Sequence, residues 1–587
     1  MGAILSHLKT LHLALKLLLE ANKSLQALLA RASAAPGLPL VDVRSPGGPP
    51  AEADVVIIGS GITGAAVARS LLLSASASKE NQGGGGNDGD GVGVVVLEAR
   101  TLCSGATGRN GGHIKASPHE LFAQLRRAGM VPERAAALVR FQLKHLTVLT
   151  QLCEAEGWAD VAECRQVETV DLYLDEGDRD AAFAEVEELC RWVPEVGIQM
   201  WDATEAREKF KVNEHVKGAI SYTAGALWPF RFVSCVWKDL LTKYEKRLSL
   251  ETETSVLSIA SSSSSSSSSR KGGDRGSEYA YQVTTNRGTI KCNHVVHATN
   301  GFATQFIPGL RGKLTGALGT MTAQRPGDYF PSDLGGKKSW SIVYGKGTFD
   351  YATQRPSSPT SVSTSTPTIT STATSFTEEE DRQRTPVAGG DLMIGGGFTR
   401  SRDAGASMIG VWDDGRLDAL PTAHLTGILR TIFEPNSGAQ QRRDLHLREE
   451  GSTKQAWSGV LGFTGDLLPF VGRLDPQLTG REVVVKVTAA QQKTNKKKKK
   501  GPGEWVAAGY CGDGMVWAWL SGTALGIMIA SEGEGYDEDD KTREDDDLLE
   551  RPGRPGGRLT EWFPPELLPS LSRVKKAGLE NLAEMFA

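Results

Sequence analysis

The sequence has 587 residues, with 66 Lys+Arg against 70 Asp+Glu and a formal net charge of -4, so no basic excess points to nucleic acid. The hydrophobic fraction of 39%, supplemented by 67 Gly, gives material for a large core and an excess of loop. No apolar run reaches the roughly 18–20 residues that span a bilayer, since the longest, Val516 to Ala530, is too short and contains Ser and Gly. The 7 Cys are odd in number and none are spaced CxxC, which suggests neither a disulfide scaffold nor a zinc site. No metal is expected. Without a secretory signal, reduced thiols in the cytoplasm are the expectation. In chain order, the first 30 residues read as one amphipathic helix, with Leu5, Leu8, Leu11, Leu15, Leu18 and Leu19 at helical spacing and Lys9, Lys16 and Lys23 among them. Three readings stand for it: a helix docked on the parent domain, a mitochondrial transit peptide, or a myristoylated Met1-Gly2 start.

Val55-Val56-Ile57-Ile58 is β-branched and wholly apolar, as a buried parallel strand requires. Gly59-Ser60-Gly61-Ile62-Thr63-Gly64 follows at once, and Ala65 to Leu73 predicts a helix. This is the strand–GxGxxG–helix order of a dinucleotide site. Gly59 makes the tight turn, Gly61 lets the backbone approach a pyrophosphate, and Gly64 lets helix and strand pack closely. The helix N-terminus presents free N–H groups to the phosphates. The companion signal is an acidic residue ending the next strand, to bind a ribose. Val94-Val95-Val96-Leu97-Glu98 supplies it once the Gly/Asn/Asp-rich stretch Lys79 to Gly93 is removed as an insertion. An acidic Glu98 also argues against a 2′-phosphate, hence against NADP.

Four other stretches read as insertions that cannot bury enough apolar surface to order: Ala260 to Gly276 with its serine run, the Ser/Thr/Pro tract Gln354 to Ala388, Thr488 to Gly503 with Lys496 to Lys500, and the acidic Glu532 to Gly556. About 430 residues remain, enough for two domains.

Two further segments bear on the choice between NAD and FAD. One is Ala99-Arg100 and then Ser104-Gly105-Ala106-Thr107-Gly108-Arg109-Asn110-Gly111-Gly112-His113. The other is Gly509-Tyr510-Cys511-Gly512-Asp513-Gly514-Met515 before an apolar helix. With the first motif, they resemble the FAD-dependent D-amino-acid oxidase superfamily, and SGATGRNGG most resembles its gamma-glutamylputrescine oxidase-like branch and fungal relatives. The resemblance implies an α/β fold, a Rossmann-like FAD-binding domain interleaved with an antiparallel-sheet substrate domain. It divides the chain into an N-terminal arm (1–52), FAD-binding parts (53–160, 229–305, 456–531), substrate parts (161–228, 306–455), and an acidic insertion and C-terminal tail (532–587).

It also implies the cofactor contacts. Gly59, Gly61, Gly64, Glu98, Ala99 and Arg100 belong to the dinucleotide end. Gly105, Ala106, Arg109, Asn110, Gly111 and Gly112 belong to the small-residue loop beneath the flavin. Gly512, Gly514 and Met515 begin a helix whose positive end faces the anionic N1–C2 side of the reduced ring. Neither His113 nor Cys511 matches a covalent linkage site of the family, so non-covalent FAD is expected. Asp513 stands where many relatives carry His, and its carboxylate is expected to point away from the ring.

On the substrate side, Asp202 and Glu205 form a capping box. Ala224 to Arg231 resembles the family's return to the FAD domain, with a helix from Val233 to Arg247. Trp228, Arg231, Tyr344 and Trp457 are the candidate substrate residues, with core packing or a helix-start Arg as the plain alternatives. Asp466 reads as structural. The resemblance implies oxidation of the C–N bond of an amine or amino acid by hydride transfer to flavin, with oxygen as acceptor. It singles out no catalytic residue. The alternatives are a flavin dehydrogenase of a hydroxy acid or glycerol phosphate, and a flavin-binding protein without turnover.

Overall fold

The β-branched run ending at Ile58 becomes the centre of a parallel ladder whose other strands come from far along the chain. The structure, a computed structural model, describes residues 40–80, 92–262, 279–327, 330–331, 334–345, 347–356, 390–433, 453–483, 501–532 and 550–582. The expected N-terminal helix and most of the five low-complexity stretches lie outside the described residues.

The described strands begin with β1 (Glu52–Ile58), β2 (Val94–Leu97), β3 (His113–Ile114), β4 (Arg165–Tyr173), β5 (Gln199–Asp202) and β6 (Gly218–Ala226). They continue with β7 (Leu248–Glu251), β8 (Val256–Ser261), β9 (Tyr281–Thr285), β10 (Gly288–His297) and β11 (Leu314–Gln324). The last six are β12 (Lys338–Val343), β13 (Phe349–Gln354), β14 (Leu392–Gly396), β15 (Thr453–Thr464), β16 (Phe470–Arg473) and β17 (Gly503–Ala508).

The first sheet has the order β16-β17-β10-β1-β2-β7, with β9 and β8 attached through β10. β17, β10, β1, β2 and β7 are parallel. Such a ladder is covered on both faces, and Val55, Val56 and Ile57 are accordingly buried. The helix Ile62–Glu80 packs against the helix Ala518–Glu532. Their approach depends on two glycines: a Cβ on Gly522 would lie 2.6 Å from the Thr63 carbonyl oxygen, and one on Gly526 2.5 Å from Ser70 Cβ.

The second sheet has the order β15-β11-β14-β13-β12-β4-β6-β3, with β5 beside β6. It is antiparallel except for β12 and β4, which pair in parallel. More than 150 residues of chain separate those two strands, ample for the crossover that parallel pairing needs. Paired residues point to the same face of a sheet. One face carries Val170, Leu172, Trp340, Ile342, Ala352, Leu392 and Ile394, which pack on Leu425, Ile428, Leu429 and Ile432 of the helix Ala419–Phe433. The opposite face is partly polar, and one row of it runs Trp457, Met321, Gly395, Tyr351, Ser341, Asp171 across six strands.

The helix expected from Val233 begins earlier, at Pro229, because proline at the first helical position surrenders no hydrogen bond. The capping box of Asp202 and Glu205 is present. Asp466 pairs with Arg573, Oδ2 to Nε 2.8 Å. Among the described residues no helix is long and apolar enough to cross a membrane.

Candidate functional site

The chain leaves β1 at its C-terminal end through a turn that only small residues permit. Gly59 has φ +111, and a Cβ there would lie 2.6 Å from the Ala298 carbonyl oxygen. A Cβ on Gly64 would lie 2.0 Å from the Gly59 carbonyl oxygen. One on Gly61 would lie 2.8 Å from Thr107 Oγ1, which accepts the Ile62 amide at 3.0 Å. Thr107 therefore sits at the helix N-terminus, a role the glycine-rich spacing gives no hint of. At the end of β2, Glu98 Oε2 accepts the Ser60 hydroxyl at 2.6 Å, and Oε1 accepts the Arg100 amide at 3.0 Å. Glu98 is half-buried, and Ala99 and Arg100 are exposed.

Gly105 precedes a short helix, Ala106–Arg109. Asn110 then locks the loop: its Nδ2 donates to the Ala106 and Thr107 carbonyls, and its Oδ1 accepts the Gly112 amide at 2.7 Å. Gly112 has φ +69, and a Cβ on it would lie 1.7 Å from the Leu227 carbonyl oxygen, so no other residue fits. Arg109 is buried and points into the protein, with Nε on the Ser104 carbonyl (2.7 Å) and Nη1 on the Ser458 carbonyl (2.8 Å). Asp414 pairs with both Arg109 (3.2 Å) and Arg100 (2.9 Å).

The third motif follows β17. Gly509 and Gly512 have positive φ, and no heavy atom lies within 4 Å of where a Cβ would stand on Gly512 or Gly514. Met515 is buried. Asn300 Oδ1 accepts the Gly509 amide at 2.9 Å, and the Tyr510 hydroxyl meets Thr63 Oγ1 at 2.9 Å. Segments over 400 residues apart thus meet at the C-terminal edge of one parallel ladder, the edge where open α/β sheets place ligands.

Against this edge stands the polar face of the second sheet. A Cβ on Gly111 would lie 3.2 Å from both Met321 Cε and the Tyr351 ring. The Tyr351 hydroxyl donates to Met321 Sδ at 3.0 Å. Trp457 neighbours Met321 across β11 and β15, and its Nε1 donates to the Arg109 carbonyl at 2.8 Å. His113 Nε2 meets Ser339 Oγ at 2.9 Å. Lys115 Nζ lies 2.8 Å from Asp171 Oδ1 and donates to Ser341 Oγ at 2.8 Å.

Glu120 and Asp513 are solvent-exposed side chains that are nonetheless desolvated by the protein mass around them. Both facts hold together if the carboxyls open on an enclosed chamber, not on the outer surface. Burial, followed by the Glu120 charge, pushes Asp513 up to about 7. Burial pushes Tyr351 up to about 12 and, with Lys115, holds His113 well below the usual imidazole range. His113 and Tyr351 are therefore neutral near pH 7.

Of the four candidate substrate residues, only Trp457 is brought to this chamber. Arg231 stacks on Trp228 at 3.8 Å and pairs with Glu163 at 3.4 Å, and Arg355 lies over the same indole at 4.5 Å. The Tyr344 hydroxyl donates to Asp350 at 3.1 Å, with Arg400 over its ring at 4.5 Å. Lys115, Glu120, Asp171, Met321 and Tyr351 were not singled out in the sequence. The available signal was Asp171, an acidic residue inside the apolar strand Arg165–Tyr173.

Residues 54–526 match the protein family described as FAD dependent oxidoreductase. Glycine oxidase from Geobacillus kaustophilus has a similar fold, with a TM-score of 0.50 at 17% identity over 84% of this chain and 98% of that one. L-Proline dehydrogenase from P. horikoshii gives 0.51 at 17% identity over 82% and 94%. No curated protein matches the sequence.

Proposed function

This chain belongs to the FAD-dependent oxidoreductase family, and from that premise we propose that it oxidises the C–N bond of an amine or amino acid. The observation that carries the reading is the meeting, at Gly111, of a loop of small residues with the polar face of a second sheet. The residues present fit FAD. The turn of Gly59, Gly61 and Gly64 with its helix N-terminus suits a pyrophosphate, and Glu98 suits the adenosine ribose. Gly105, Ala106, Asn110, Gly111 and Gly112 form a loop that admits a flat ring, and Gly512, Gly514 and Met515 border open space beside it. Arg100 and Arg109 keep that loop in shape through Asp414.

When bound, FAD supplies the acceptor for the hydride that leaves the carbon bearing nitrogen. The chain's own part is to hold the substrate against the loop and keep bulk water away. Met321, Tyr351 and Trp457 offer apolar contact, and Ser339, Ser341 and the Lys115–Asp171 pair offer polar contact. The imine product takes up water and splits into a carbonyl compound and a smaller amine or ammonia. Oxygen accepts the two electrons and leaves as hydrogen peroxide.

The test is peroxide and carbonyl release from the FAD-loaded protein across matched amines, amino acids, hydroxy acids and glycerol phosphate. Carbonyl and peroxide in equal amounts from a nitrogen substrate are expected. Oxidation of only the oxygen substrates overturns the reading, and so does flavin that no substrate reduces. Flavin reduced by an amine but not reoxidised by oxygen removes only the choice of acceptor.

A further inference from the structure

The chamber beside Gly111 contains an imbalance of charge. The groups that act on one another there are Glu120, Asp171, Asp513 and Lys115, three carboxyls against one ammonium. Lys115 is held on Asp171 and Ser341. Asp513 has no salt bridge or side-chain hydrogen bond among the described residues. It lies on the turn that packs against β3, and Lys115, Ser117 and Glu120 follow β3 directly, so all four side chains surround one corner. Guanidinium groups that would receive a carboxylate bidentately are engaged elsewhere: Arg109 on backbone carbonyls and Asp414, Arg231 and Arg355 on Glu163. His113 and Tyr351 carry no charge near pH 7 and do not offset the acids.

A desolvated carboxyl without a partner is a standing cost to the fold. A cation entering the chamber removes that cost, and a second anion adds to it.

We propose that Glu120 and Asp513 set the specificity of this site, selecting a substrate that presents a positive charge to the chamber and rejecting one that presents a free carboxylate there. This rests on the chamber being the substrate site of the oxidation proposed above. It narrows the substrate to amines whose carboxylate, if any, is blocked or lies far from the reacting nitrogen. Glu120 and Asp513 are specificity and positioning residues that act through charge.

The test uses the FAD-loaded enzyme and two probes that cannot be oxidised as amines: butyltrimethylammonium, and butanoate as its anionic counterpart. Binding is read as a shift of the flavin visible spectrum and by calorimetry. At pH 8 the cation is expected to bind at least tenfold more tightly than butanoate. Glu120→Gln and Asp513→Asn are each expected to weaken the cation roughly tenfold, the scale of one lost charge-assisted contact. In the parent enzyme, affinity for the permanently charged probe should rise as pH passes upward through about 7, where Asp513 ionises among Glu120, Lys115, His113, Tyr351 and Cys511. Asp513→Asn should flatten that rise.

Butanoate binding as tightly as the cation overturns the proposal. So does a cation affinity unchanged in both variants, or no measurable cation binding. An enzyme that binds the cation as described but oxidises no amine refutes the proposed reaction and leaves the charge selection standing.

Discussion

A carboxylate at the end of a buried strand persists only where its oxygens meet donors, and Glu98 meets the Ser60 hydroxyl and the Arg100 amide. The same position is where an adenosine ribose would offer its hydroxyls. Glu98→Gln should weaken FAD binding by about 1–3 kcal/mol, the range for hydrogen bonds to a charged group. Equilibrium dialysis checks this, and unchanged flavin retention would remove Glu98 from the ribose site. Asp513 makes the opposite case, because its environment disfavours the charged form. Its folded pKa, about 7, lies above the ordinary value for an aspartate. The unfolded chain therefore ionises first, and stability present at low pH is lost as pH rises from about 4 through 7. Asp513→Asn should leave Tm nearly unchanged at pH 4.5 and raise it at pH 8. Melting curves of the cofactor-free protein at the two values test this, and an equal shift at both would show that Asp513 titrates normally.

At the scale of elements, the parallel ladder was legible because each of its inner strands is a short apolar run, and such a run has few other places to go. The three glycine motifs were legible for a similar reason: Gly59, Gly64 and Gly112 occupy positions where a Cβ would strike a carbonyl oxygen. The polar face of the second sheet was not. Its row draws single residues from β15, β11, β14, β13, β12 and β4, and only the register aligns them. Trp228 and Arg231 misled because an aromatic next to an arginine reads equally as a ligand contact and as the stacked ion-pair cluster they form with Glu163. The tract after β13 offers a test of element independence. The Arg355 amide donates to the Asp391 carbonyl (2.9 Å) and the Gly390 amide to the Arg355 carbonyl (3.0 Å), so the chain departs and returns at one point. β13 and β14 are already paired up to that point. Replacing residues 358–388 with a short Gly-containing turn should leave flavin content and Tm within a few degrees of the parent, read by absorbance and calorimetry. A large fall in either would mean that the excised residues support the sheet.

Across the whole molecule, the proposed cofactor site is assembled from stretches that no single element connects: the turn after β1, the loop from Ser104 to Gly112, and the turn after β17. Direct ties between them are few, such as Tyr510 to Thr63 and Thr107 to the Ile62 amide. A ligand that touches all three stretches binds the folded chain and not the unfolded one, so it stabilises by mass action. At a free FAD concentration of ~100 times Kd the gain is about 2.7 kcal/mol. For a chain this large, 1 kcal/mol moves Tm by roughly 2–4 °C, so saturating FAD should raise Tm by about 5–10 °C, and the rise should grow with the logarithm of added FAD. Because no linkage site is matched at His113 or Cys511, acid or heat should release the yellow flavin into the supernatant, where its absorbance identifies it. Gly61→Val removes the close approach at the first turn, and a Cβ at that position already meets Thr107 Oγ1. That variant should fold, lack yellow colour, and show a Tm that added FAD no longer moves. A concentration-dependent rise retained in Gly61→Val would place the dinucleotide somewhere other than the edge of the parallel ladder.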